Sequence, residues 1–111
     1  GLLQAVSSPL VVFTTVTTRK QGEGLAGRLV REKLVACVNI LSGVTSVYRW
    51  KGRVEQAGEV LLIMKTTGRL WPRLQKRIQA LHPYKVPEII ALPVTGISKA
   101  YGAWMLKVLS P

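Results

Sequence analysis

Residues 34–52 read LVACVNILSGVTSVYRWKG, and no other stretch decides the fold so directly. Val35 to Leu41 is apolar and largely β-branched, and Ser42-Gly43 bends it. From there Val44, Ser46, Tyr48 and Trp50 alternate against Thr45, Val47 and Arg49. A period of two marks a strand with two different faces. Lys51-Gly52 supplies a tight turn, and the chain returns from Arg53 through Glu59-Val60-Leu61-Leu62-Ile63-Met64-Lys65. The pattern predicts one long antiparallel hairpin, with Gln56-Ala57-Gly58 as a bulge or loose edge in its returning arm.

Outward from the hairpin, Leu10 to Thr15 reads as a strand buried on at least one face. Leu25, Ala26, Leu29, Val30 and Leu34 follow at helical spacing, with Arg28, Arg31, Glu32 and Lys33 facing out. Gly22, Gly24 and Gly27 each cost up to ~1 kcal/mol against Ala, so this helix is expected to be firm only after about Gly24. Thr66-Thr67 offers an N-cap to a second helix with the stripe Leu70, Leu74, Ile78 and Leu81, and His82-Pro83 ends it. Val86 to Val94 is a last strand whose Pro87 and Pro93 belong at an edge or at strand ends. Ala100 to Leu109 suits a short terminal helix. The order βαββαβ, with the terminal helix appended, predicts an α+β ferredoxin-like sandwich, its two main helices on one face of an antiparallel sheet. Residues 10–111 form the single domain and residues 1–9 an N-terminal extension.

Size and composition bound the rest. The 111 residues, 48% hydrophobic, suit one core. No apolar run approaches the ~20 residues that span a bilayer. The opening Gly1-Leu2-Leu3-Gln4-Ala5-Val6 reads as lacking a basic leader and as too short for a secretory signal, with the remnant of a trimmed precursor as the other reading. One cysteine excludes an intrachain disulfide and any two-cysteine zinc or redox motif, so a reducing compartment, the cytoplasm, is expected. Sixteen Lys and Arg stand against five Glu and no Asp, a formal +11. That field favours anionic partners, but no basic run exceeds Arg19-Lys20, so the charge reads as spread out for solubility rather than gathered in an arm. No specific nucleic-acid partner is expected, because the central strand VLLIMK (60–65) lacks the aromatics on which bases stack. Dinucleotide and phosphate-loop motifs are absent, and no Ser-His-Asp set exists in a chain without Asp, so no enzyme is expected.

Few residues carry chemistry. Cys37 is a soft-metal ligand or a small buried hydrophobe. His82, the one histidine, caps a helix C-terminus or binds a metal or substrate. With Glu88 they make a thin donor set unless an assembly brings copies together. Tyr48, Trp50 and Tyr84 are polar-tipped aromatics that pack on a neighbouring subunit or line a pocket between subunits. Lys65 orients an anion there or snorkels to the surface. A partner copy is itself expected. Val38, Ile40, Val60, Leu62, Ile89, Ala91 and their alternating neighbours cannot all point at two helices, and broad open apolar surface is rare on a soluble monomer.

Several stretches together are similar to the CutA family, the divalent-cation tolerance proteins. They are Leu34-Val35-Ala36-Cys37-Val38-Asn39, Ser46 to Gly52, Glu59-Val60-Leu61 leading to Lys65-Thr66, His82-Pro83-Tyr84 and Val86-Pro87-Glu88, in family order from about Leu10 to Leu106. The resemblance implies a homotrimer packed through its sheets. It also implies a role in tolerance of divalent metals, especially copper, with copper or another divalent cation as the metal for His82 and Cys37. Animal relatives are tied to the assembly of membrane acetylcholinesterase. The chain departs from the family at Thr17-Thr18-Arg19-Lys20, where Pro and acidic residues are usual. It departs again at Thr14 for Cys, at Lys85 for Glu, at Arg49 and at Gln56-Ala57-Gly58. The lost cysteine and carboxylates weaken copper binding, and a cationic trimer repels metal ions. A second reading is a sensor or scaffold trimer resembling the PII signalling proteins, with a small anionic ligand or a protein partner in an intersubunit cleft near Lys65, Tyr84 and Glu88.

Overall fold

The computed structural model describes residues 8–111. Most of the expected 1–9 extension lies outside the described residues. Pro9 already opens the first strand, β1 (Pro9–Val16). Then come α1 (Arg19–Arg31), β2 (Cys37–Trp50), β3 (Arg53–Thr67), a 3₁₀ turn (Gly68–Leu70), α2 (Trp71–Leu81), β4 (Ile90–Pro93) and α3 (Lys99–Leu109). The sheet has the order β2-β3-β1-β4 and every pair is antiparallel, which is the ferredoxin-like sandwich.

The hairpin forms as the alternation predicts. Lys51 (φ 49°) and Gly52 (φ 78°) are both left-handed, the geometry whose twist matches two paired strands. The bulge lies elsewhere than expected. Gln56, Ala57 and Gly58 pair in regular register with Val47, Ser46 and Thr45. The irregularity falls between Leu41 and Val44, where Ser42 and Gly43 together oppose Val60. Gly43, at φ 80°, supplies the left-handed residue this needs. One extra residue inverts the alternation of β2. Cys37, Asn39 and Leu41 before it, and Val44, Ser46, Tyr48 and Trp50 after it, therefore share one side of the sheet.

α1 starts five residues earlier than glycine content suggested. Thr18 accepts from the Gln21 backbone N–H at 3.1 Å while Gln21 Oε1 accepts from the Thr18 N–H at 3.2 Å, a reciprocal cap that fixes the first turn. Gly22 is there for packing. A Cβ would stand 3.2 Å from Leu62 Cδ1 and 3.4 Å from Val16 Cγ2, so the missing side chain lets the helix lie close on the sheet. The last strand is shorter than expected, four residues rather than nine, with Pro93 at its end on a sheet edge. Pro87 interrupts any ladder upstream, and Val86 is 71% exposed.

The core lies between the sheet and the helices: Val12 and Val16 of β1, Leu62 and Met64 of β3, Leu25 and Leu29 of α1, Leu74 and Ile78 of α2, closed by Met105 and Leu109 of α3. Arg69 Nη2 donates to the Leu109 carbonyl at 3.3 Å, which ties α3 to the 3₁₀ turn. Two buried threonines share this face and differ. Thr66 Oγ1 donates to the Leu34 carbonyl at 2.7 Å, whereas Thr14 Oγ1 has no partner, alone among the buried side-chain polar atoms of the described residues. An unpaired buried hydroxyl is costly, and valine has nearly the same shape. Thr14→Val should raise stability by about 1 kcal/mol in urea titrations, and Thr66→Val should lower it by a similar amount.

The other sheet face carries Val11, Phe13, Leu61, Ile63, Leu41, Ile90 and Leu92, brought together by the registers Phe13↔Ile63, Phe13↔Ile90, Val11↔Leu92 and Leu41↔Leu61. No helix covers it. Leu41 (44%), Ile90 (47%) and Leu92 (44%) are exposed there, as are Trp50 and Val54 on the projecting hairpin.

Candidate functional site

The polar groups with the most connections lie at one end of this open face, where β1 outruns β4. β4 pairs only as far as Phe13, so the β1 edge beyond it lacks a neighbour. The stretch after α2 folds over that edge instead, and His82 Nε2 lies 2.8 Å from the Thr15 carbonyl oxygen. The Tyr84 backbone N–H donates to His82 Nδ1 at 3.0 Å. These two contacts fix the tautomer: Nδ1 accepts, so Nε2 carries the proton and donates. His82 is 8% exposed, and burial depresses its pKa below 6.5, outweighing the Thr15 carbonyl and the Glu59 charge that favour the cation. Protonation of Nδ1 would set two donors face to face.

Tyr84 extends the network. Its ring lies edge-on to His82, centroids 4.7 Å apart. Its hydroxyl donates to Glu59 Oε2 at 2.7 Å and takes the Thr17 hydroxyl proton at 3.0 Å. Burial raises the Glu59 carboxyl, but hydrogen bonds from Ser46, Tyr84 and Thr15 with the nearby His82 hold it below its ordinary value on balance. Burial first, then Glu59, pushes the Tyr84 phenol up, which suits a group that keeps its proton and donates it. Tyr48 lies close enough to be felt at the Tyr84 hydroxyl. The set is saturated: each group has a partner, and none is a nucleophile beside a free base.

A second polar group stands at the opposite end. Lys65 Nζ donates to Asn39 Oδ1 and lies 4.0 Å from Cys37 Sγ, with Tyr101 of α3 against the same thiol. Thr15 pairs with Leu61 and Cys37 with Lys65, so four residues of β3, roughly 13 Å, separate the two ends.

Of the residues proposed from sequence, the structure thus joins Tyr48 with Tyr84, and Lys65 with Cys37. It does not join Lys65 with Tyr84, or His82 with Cys37, within one chain. Trp50 is exposed at the hairpin tip and Glu88 in the segment before β4. Among the described residues no three of His, Cys, Asp and Glu stand together as metal donors. His82 has both nitrogens engaged and Cys37 has an ammonium beside it, so one chain's donors do not fit a copper ion. Glu59, Thr15, Thr17 and Ser46 are site residues that sequence reasoning missed. The signal available for Glu59 was a carboxylate at the head of an apolar strand. For Ser46 it was its place in alternation with Tyr48.

The family described as "CutA1 divalent ion tolerance protein" matches residues 10–108. The divalent-cation tolerance protein CutA of Thermus thermophilus is 47% identical over 95 residues, 86% of this chain and 92% of that protein. The Arabidopsis thaliana "Protein CutA, chloroplastic" is 49% identical over 96 residues, 86% of this chain, which spans only about half (53%) of that longer protein. The crystal structure of CutA1 from Oryza sativa superposes with a TM-score of 0.88 at 42% identity, covering 92% of this chain and 95% of that one. Both the strand order and the motifs from Cys37 to Glu88 fall inside the matched span, so this chain belongs to the CutA family of divalent-cation tolerance proteins.

Proposed function

We propose that the chain acts without enzymatic activity in tolerance of divalent cations, as a homotrimer closed through the open faces of its sheets, and that it binds copper only weakly. The uncovered face, with Leu41, Ile90 and Leu92 half out in solvent, carries this reading. Such a continuous apolar surface needs a cover. The projecting hairpin gives each copy an arm reaching beyond its own helices. A trimer would also bring ends of neighbouring sheets together, which lets Lys65 of one copy approach Tyr84 of another. In sedimentation velocity at micromolar concentration the species should weigh three times the 12.2 kDa of one chain, and a stable single-chain species would remove the proposal.

Weak copper binding rests on the donors. His82 serves as a clasp between α2 and β1, and the cationic field disfavours metal ions. Calorimetric titration with Cu(II) should give superposable isotherms for the wild type and His82→Ala. Heat lost only in the variant would restore His82 as a ligand. No described helix is long and apolar enough to cross a membrane. A reducing compartment such as the cytoplasm is proposed from the single free thiol, half-buried in β2.

A further inference from the structure

Scattered in sequence, the basic residues are gathered by the fold. Residues 17–34 and 68–82, which form α1, α2 and their flanks, hold nine of the 16 Lys and Arg and two of the five Glu. α1 and α2 lie side by side, and a shallow depression of about 340 Å³ along their seam is lined by Glu32, Leu34, Arg73, Lys76, Arg77 and Ala80. A neighbouring one holds Arg28 beside Gln21, Leu81 and Pro83. Glu32 is saturated, bound by Arg77 Nε and Nη2 at 2.8 Å each and by Arg28 Nε at 3.0 Å, and chiefly its hydrogen bonds with Arg77 hold its pKa at about 2. Arg73 and Lys76, both exposed, have no carboxylate partner among the described residues, and Arg31 and Lys33 belong to α1 and the turn after it.

We propose that this helical face is a docking surface for double-stranded nucleic acid, gripping the phosphate backbone without reading sequence. Six of these nine cations are Arg, whose planar fork matches phosphate oxygens. Arg19 and Arg69 are turned aside to Ser42 and the Leu109 carbonyl, so the seam itself presents Arg28, Arg73, Arg77 and Lys76. The 13 residues of α1 extend ~20 Å, about six phosphates of one strand at ~3.4 Å each. No exposed aromatic stands on the seam to stack unpaired bases, which favours a duplex over a single strand. The apolar stripes of both helices, Leu25 with Leu29 and Leu74 with Ile78, point into the core, and Val30 is the one exposed large hydrophobic on them, a narrower apolar edge than the one that lays a helix on a bilayer. The surface lies opposite the open sheet face and stays free in any assembly formed through the sheets.

Anisotropy of a labelled 20-base-pair duplex tests this. Binding at about 50 mM salt should weaken with a log–log salt slope of roughly −4, as for four or five neutralised phosphates. Arg73→Glu/Lys76→Glu should bind at least about 30-fold more weakly and lower the slope by about two. Arg73→Ser/Lys76→Ser serves as the milder variant should the reversal disturb folding. Lys51→Glu/Lys99→Glu, with the same net charge but changed at the hairpin tip and at the start of α3, should lose less than about 5-fold. No duplex binding, or equal loss in both reversals, overturns the proposal. So does retention on phosphatidylcholine vesicles with 30% phosphatidylglycerol at a salt concentration where the duplex is free.

Discussion

Ile90→Lys/Leu92→Lys should convert the assembly into folded single chains. Both residues lie on the edge strand β4, exposed on the open face, so the chain's own core does not sense the change. In the proposed trimer each loses roughly 1.5–3 kcal/mol of apolar burial. Each also brings a lysine into an apolar contact, and a charge left buried and unpaired there costs several kcal/mol more. Together the changes exceed ~4 kcal/mol per subunit, about a thousandfold in each contact. Sedimentation velocity should show a 12.2 kDa species with an unchanged far-ultraviolet spectrum. If the variant keeps the wild-type mass, copies associate through some other surface.

His82→Ala should be the most damaging polar substitution in one subunit. It strips the Thr15 carbonyl of its donor, leaves the Tyr84 N–H without an acceptor and opens space beside the Tyr84 ring. One unsatisfied buried group costs about 1–3 kcal/mol and a lost hydrogen bond about 1 more, so a loss of about 2–4 kcal/mol is expected in denaturant titrations. A pH signature accompanies it. The folded imidazole takes a proton less readily than its ordinary 6.5, so below pH 6.5 the unfolded chain binds more protons. Stability should fall as pH drops from about 7 toward 5.5, a window with no other histidine to contribute. His82→Asn should flatten that dependence. An unchanged slope in the variant would show that the buried neutral imidazole is not its source.

The same network shows what was legible beforehand. His82 read as a helix cap or a ligand. The structure keeps it as the C-cap of α2 and adds a further part, capping the β1 edge, because β4 stops four residues along its neighbour. Glu59 and Tyr84 are 25 residues apart, and nothing local in either says that they share a proton. That Ser46 and Tyr48 join them depends on the Ser42-Gly43 bulge, which turns Val44, Ser46 and Tyr48 onto the side of Glu59. The start of α1 rests on the Thr18–Gln21 capping box, which the glycine count hid, and Gly22 serves close packing on Leu62 rather than a loose first turn.

Local chemistry in the sequence determined the elements, their order and the two-sided strands, because side-chain period, turn residues and proline act over a few neighbouring positions. The family motifs, too, are strings of adjacent residues. Tertiary structure alone decided which polar groups share the open face, which cations form one surface and which threonine lacks a partner. These are contacts across 25 to 67 residues, set by strand register and helix packing, which no local pattern encodes.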